Sequence, residues 1–396
     1  MTPPEILWTP PAERIELAHI TRYARWLEES RGLDLPDYGS LWQWSVDNLE
    51  EFWSSVVEFL DVRFSRQPQR VLGSREMPGA EWFPGAHVSY PEHIFKGKAD
   101  DQIALRFASE LRPLDAWTWG ELRAQTAAIA NGLRALGVVP GDRVAAYMPN
   151  IPETVAAFLA VSSLGAVWSS AAPEFGARSV IDRFAQIEPK VLFAIDGYRY
   201  GGKEFDRRAQ VDEIAGAMPT LEKVVRFGYL DGSGWEDGFL DRSARALTFE
   251  AVPFDHPLWV LYSSGTTGLP KPIVQGHGGI LIEQLKKGWL HLDAHAGDRF
   301  FWFSTTGWMM WNFLVGVLLT DASIILFDGN PGYPDLGTLW DLAATTGMTN
   351  FGTSAAFISS CMKGGVKPAA GRDLSALRNV GSTGSPLAPE GFRWVY

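Results

Sequence analysis

From residue 103 onward, short apolar runs alternate with amphipathic stretches, and that alternation limits the folds open to the chain. Residues 103–107, 117–119, 144–148, 166–170 and 191–195 have the length and composition of strands. Residues 120–136, 152–164 and a stretch through Ile181 and Phe184 carry helical spacing. Pro152 and Glu153 stand where the first turn of a helix favours proline and an acid. Strands that alternate with helices form βαβ units, which build parallel sheets covered by helices. Residues 299–303, 323–327 and 349–351 read as further strands. Residues 308–319 are apolar all round and read as a buried helix. The expected class is α/β.

The N-terminal part reads differently. Ile15, Leu17, Ile20, Tyr23, Ala24 and Leu27 form an apolar stripe on a helix that stops near Gly32. A second helical stretch, rich in Trp and Phe, spans residues 41–60. At 396 residues the chain exceeds one average domain. The expected division is a helical extension over 1–81 and a large domain over 82–396. A hydrophobic share of 46% is ample for sizeable cores, and a net charge of −11 argues against a nucleic-acid binder. Cys361 is the only cysteine, so no internal disulfide forms, and it reads as a small core residue. The first residues lack the pattern of a secretory signal, and no apolar run approaches the roughly 18 residues of a membrane helix. These features point to a cytoplasmic protein without membrane insertion.

The chemistry concentrates at residues 262–279. An apolar run over 257–261 precedes the stretch, and Ile280, Leu281, Leu285 and Trp289 follow at helical spacing. Between them lie Ser263, Ser264, Gly265, Thr266, Thr267, Gly268 and Lys271. Glycine brings backbone N–H groups close to an anion, hydroxyls add donors, and lysine adds a mobile positive charge. That set suits a polyphosphate. The spacing differs from a P-loop, because Leu269 and Pro270 separate Gly268 from Lys271.

The stretch resembles the phosphate-binding signature of the adenylate-forming superfamily of acyl-CoA synthetases, luciferases and peptide-synthetase adenylation domains. Thr305-Thr306-Gly307-Trp308, residues 381–386 followed by Pro389-Glu390, and residues 196–203 resemble further motifs of its acetyl-CoA synthetase-like members. Residues 305–313, 327–340, 351–357 and 381–396 are similar to the acetoacetyl-CoA synthetase family. The resemblance implies a large domain of two parallel-type sheets sandwiched by helices. It also implies ATP, Mg²⁺, coenzyme A and acetoacetate, joined through an acyl-AMP intermediate. Lys271, Thr266 and Thr267 would be catalytic, within a phosphate loop of Ser263 to Gly268 and Lys271. Gly384, Ser385 and Pro386 would lie along the adenine, with Ser385 replacing a glutamate common in the family. Trp308, Met309, Met310 and Thr383 would line the acyl pocket, and Asn312 or a backbone amide would meet the 3-oxo group. Arg199 and Lys203 would meet the coenzyme A nucleotide, although Gly202 replaces a second arginine of the family pattern.

The resemblance leaves no metal ligand in this chain. It implies a large domain incomplete at its C-terminus, without the family's lid, and inactive alone. Two alternatives stay open: a ligase for another short acid such as acetate or propionate, and a non-catalytic nucleotide-binding fragment. Local alternatives stay open too. Trp308 to Trp311 suits core packing, Arg199 a solvated surface, and residues 228–245 a surface loop. His277 suits local hydrogen bonds at a helix entry or the role of a general base.

Overall fold

The computed structural model describes residues 5–242, 246–263 and 268–396. Two large sheets organise it. The first has seven strands, in the spatial order Gly234–Trp235, Lys223–Gly228, Val191–Ile195, Arg143–Tyr147, Val167–Ala171, Pro257–Ser263 and Lys271–Gly276. Its inner strands run parallel and both edge strands run antiparallel. The second has six strands, in the order Asn379–Thr383, Asn350–Ser354, Arg299–Trp302, Ser323–Asp328, Ile103–Ser109 and Asp115–Thr118. Only its last pair is antiparallel. The α/β expectation and its parallel-type sheets therefore hold.

One contiguous core contains residues of both sheets together with the helix Pro152–Ser163. That helix is buried almost throughout, as its apolar composition requires. Phe158 on it meets the rings of Trp168 and Trp259 from the first sheet and Trp311 beyond them, at 5.9, 5.6 and 6.0 Å. Truncating Phe158 to Ala removes these contacts at a cost of about 3–5 kcal/mol.

Four expectations need correction. The N-terminal stripe is two helices, Ala12–Leu17 and His19–Arg31, separated at Ala18, and Ile15 and Leu17 are exposed. The second stretch is also two helices, Tyr38–Asp47 and Leu49–Phe59, separated at Asn48. Residues 308–319 divide into a helix, Met309–Val315, and a 3₁₀ turn, Gly316–Leu319, and their first residues face solvent. Finally, residues 228–245 are more than loop. Gly234–Trp235 extends the sheet and Phe239 is buried, while 243–245 lie outside the described residues.

Among the described residues, no helix is long and apolar enough to cross a membrane. Cys361 is buried in a core cluster, as expected of a small apolar side chain.

Candidate active site

The strand expected over 257–261 runs on to Ser263, and an unexpected antiparallel partner, Lys271–Gly276, returns beside it. Ser263 and Lys271 are register partners, so their side chains project from the same face of the hairpin mouth. Lys271 and Gly268 are exposed. The chain between them and Ser263 carries the other expected phosphate donors. Ser264, Gly265, Thr266 and Thr267 lie outside the described residues.

A second cation stands behind this hairpin. Arg183, in the last turn of the helix Ala177–Phe184, lies over the Tyr262 ring at 6.0 Å and over the Phe175 ring at 5.0 Å. The Tyr262 hydroxyl donates to the Arg183 carbonyl at 2.9 Å. The guanidinium donates to the Ser179 carbonyl and hydroxyl, and among the described residues no carboxylate forms a salt bridge with it. Burial lowers its pKa. Phe175 then meets Trp308 edge to face at 6.3 Å. Tyr262, Arg183, Phe175 and Trp308 thus form one continuous stack between two motifs that are 46 positions apart in number, 262 and 308. Arg183 was not among the residues singled out by sequence, because its partners lie on three separate elements.

Trp308 and Met309 are 54% and 56% exposed, so core packing does not explain them; Met310 is half-buried. Two backbone carbonyls anchor the segment before them. Ser170 donates to the Thr306 carbonyl at 2.8 Å, and the Thr306 hydroxyl donates to the Met148 carbonyl at 2.6 Å. Asn312 is buried, and among the described residues its side-chain amide has no hydrogen-bond partner.

Behind this helix lies a residue the sequence reading passed over. Trp302 pairs in register with Gly352, and its ring covers Gly352 and Gly381. A Cβ on Gly352 would come within 2.1 Å of that ring, and one on Gly381 within 2.6 Å. Both positions therefore require glycine. Thr383 is two residues beyond Gly381 on the strand Asn379–Thr383, so it projects from the face that carries Trp302. Gly384 follows with φ +87°, a left-handed turn that favours glycine, and Ser385 and Pro386 are exposed beyond it.

Arg199 and Lys203 lie on a separate hairpin, Gly197–Tyr200 with Lys203–Asp206. Arg199 pairs with Glu204 at 2.6 Å and donates to the Glu110 carbonyl at 3.2 Å; Lys203 is exposed. Arg199 is therefore paired rather than merely solvated. The Glu110 carboxylate accepts N–H groups of Gly201, Gly202 and Asn330 at 2.7–2.8 Å. Glu110, Arg199, Gly202 and Glu204 border a cavity of about 620 Å³. Nearby, Asp328 is buried and accepts from the Tyr229 hydroxyl at 3.0 Å. Burial pushes its pKa up to about 8, with Glu174 adding to the effect.

His277 is fully buried, and the Tyr90 N–H donates to its Nδ1 at 3.3 Å. This bond joins residues 187 apart, which corrects the expectation of local partners. Burial pushes its pKa down to about 3, so the ring stays neutral and sealed from solvent, and the general-base alternative falls.

This fold, with its antiparallel hairpin and glycine turns, has clear relatives. A profile described as AMP-binding enzyme matches residues 94–396, and one described as acetyl-coenzyme A synthetase N-terminus matches residues 38–93. The chain belongs to the AMP-binding enzyme family. It is 40% identical over 399 residues to acetoacetyl-coenzyme A synthetase of Rhizobium meliloti (strain 1021), covering 98% of this chain and 61% of that one. The acetoacetyl-CoA synthetase of Danio rerio is 38% identical over 411 residues, covering 99% of this chain and 61% of the relative. A solved structure of acetoacetyl-CoA synthetase from Streptomyces lividans matches with a TM-score of 0.94 and 55% identity, covering 99% of this chain and 62% of that chain. The chain thus spans 61% of the length of these curated relatives.

Proposed function

We propose that this protein joins acetoacetate to coenzyme A in two half-reactions driven by ATP. The acetoacetate carboxylate attacks the α-phosphorus, a C–O–P linkage forms, and the bond to pyrophosphate breaks. The thiol sulfur of coenzyme A then attacks the acyl carbonyl carbon, a thioester forms, and AMP leaves with the bonding electrons. The observation that carries this reading is the stack from Tyr262 to Trp308, which ties the phosphate hairpin to an exposed apolar loop suited to an acid. The names and identities of the relatives support the choice of acid.

In this reading Lys271 and Ser263 hold the outgoing phosphates, together with Ser264, Gly265, Thr266, Thr267 and Gly268. Gly384, Ser385 and Pro386 flank the adenine. Trp308, Met309, Met310 and Thr383 line the acid site, and Arg199 and Lys203 receive the coenzyme A nucleotide. Mg²⁺ suits the ATP phosphates, whose charge it would neutralise. Among the described residues, the one trio of metal-type side chains is His19, Asp293 and His295, none of which belongs to the hairpin. The division into 1–81 and 82–396 and a cytoplasmic location are parts of the same proposal.

Acetoacetate-dependent exchange between ATP and labelled pyrophosphate tests the first half-reaction, and thioester formation tests the second. Equal use of acetate or propionate would favour the broader short-acid reading. No exchange with any short acid would overturn the function. Neither the fold nor the relatives support the expected inactivity of this chain, so residues 1–396 belong in the same assay beside the full-length protein.

A further inference from the structure

The helix His277–Lys286 widens at Lys287 into a π-helical turn, Lys287–His291. Such turns often re-aim a side chain at a functional site. The Lys287 ammonium lies 3.6 Å from the centre of the Phe313 ring. Among the described residues no hydrogen bond or salt bridge satisfies it, while the adjacent Lys286 pairs with Glu283 at 2.9 Å. Phe313 is one helical turn beyond Met309, so the two share a face. Phe313 also meets Trp302 edge to face at 5.1 Å. Trp302 covers Gly381, and Thr383 projects from that same sheet face. Lys287, Phe313 and Trp302 thus form one contact chain beside the C-terminal ends of parallel strands, where α/β sheets place ligands, with Met309 on the helix face of Phe313 and Thr383 on the sheet face of Trp302.

We propose that Lys287 recognises the 3-oxo oxygen of the acid, its ammonium donating a hydrogen bond to that carbonyl while the carbon chain lies against Phe313 and Met309. This rests on the acetoacetate reading above and names the group that distinguishes a 3-oxo acid from a plain one. An unpaired ammonium over an aromatic ring keeps its charge at moderate cost, and a neutral carbonyl completes its coordination without the desolvation that a second ion would require. A plain four-carbon acid occupies the same space and leaves the ammonium unpaired. Such unequal loss is the basis of strong discrimination by polar sites.

Burial pushes the Lys287 pKa down to about 8, and Glu283, one turn back, opposes the shift. His291 and Lys286 share its helical run, and the Met309–Val315 helix brings no ionisable group. The Leu49–Phe59, His19–Arg31 and Tyr90–Phe95 helices, also packed on this run, bring Glu50, Glu51 and Glu58, then His19, Arg22, Arg25, Glu28, Glu29 and Arg31, then Glu92 and His93, with Glu58 paired to Arg31 and Arg25 to Glu16. Deprotonation therefore removes the ammonium donor in an accessible pH range.

The test compares acetoacetate with butyrate by pyrophosphate exchange in the full-length protein. In Lys287→Met, the ratio of kcat/KM values should fall about tenfold or more, with butyrate changed by less than about threefold. In the unmodified protein the same ratio should fall between about pH 7 and about pH 9, which needs no variant to fold. An unchanged ratio in both measurements, or equal losses for both acids, overturns the proposal. Collapse of the ratio in Asn312→Leu but not in Lys287→Met assigns the oxo group to Asn312 and also overturns it. Absence of acetoacetate-dependent exchange in the unmodified protein marks failure of the functional reading itself, and this proposal falls with it.

Discussion

Ser263 and Lys271 face each other across an antiparallel ladder, and this places a hydroxyl and an ammonium side by side at the mouth of the hairpin. In the proposed reaction pyrophosphate is present only in the first half-reaction. Lys271→Ala should therefore slow acyl-AMP formation about a hundredfold, the scale of losing one charge-stabilising donor. Thioester formation from preformed acetoacetyl-AMP should change much less. Equal losses in both steps, measured in the same preparation, would remove Lys271 from the phosphate site.

Arg183 supplies a positive charge held between Tyr262 and Phe175, and among the described residues no carboxylate bridges it. Arg183→Met keeps much of the stacked volume and deletes the charge. The KM for ATP should rise about tenfold, with thermal stability nearly unchanged. A variant with unchanged ATP kinetics would reduce Arg183 to a packing residue.

Gly352 has no room for a methyl group beneath Trp302. Gly352→Ala should lower stability by about 1–3 kcal/mol, as overpacking does, and impair use of the acid more than use of ATP. Urea unfolding read with both KM values checks this. A second change, Trp302→Leu, should recover part of the lost stability by clearing the clash.

Arg199 already has a partner in Glu204. In the proposed coenzyme A site an incoming phosphate would have to displace that carboxylate. Glu204→Gln should lower the KM for coenzyme A about two- to fivefold, the scale of an exposed ion pair, and leave ATP kinetics alone. A higher KM for coenzyme A would place its nucleotide elsewhere.

Asp328 gives a stability prediction with a definite sign. Its pKa rises from 3.8 when exposed to about 8 in the fold. Across that window the folded chain holds a proton that the unfolded chain has lost. Stability is therefore fully present at low pH and declines as pH rises through about 8. Asp328→Asn keeps an acceptor for Tyr229 and removes the titration. Its advantage over the unmodified protein, followed by thermal midpoints, should grow from acidic to alkaline pH. A constant difference would contradict the buried, protonated state.

The parts legible in sequence were those with a local cause. Residues 191–195 form the expected strand because five apolar residues in a row are buried on both faces. The strand Lys271–Gly276 escaped notice because it is an edge strand carrying Pro272, with Ile273 and Val274 exposed rather than alternating with polar residues. The breaks at Ala18 and Asn48 were hidden because apolar spacing continues across them. Lys271 and Trp308 could be singled out from neighbouring residues. Arg183, Trp302 and Lys287 could not, since each depends on partners brought together only by the sheets.

The stack that runs from Tyr262 through Arg183 and Phe175 to Trp308 puts an unbroken chain of side-chain contacts between the hairpin and the exposed loop. In the proposed function ATP and the acid bind at its two ends, so any coupling between those two events has this stack as its physical route. Linkage makes that effect reciprocal: the factor by which ATP tightens the acid must equal the factor by which the acid tightens ATP. A dependence of the acid's dissociation constant on ATP would therefore require an equal dependence of ATP's on the acid, and independence of either would show that the stack carries no coupling.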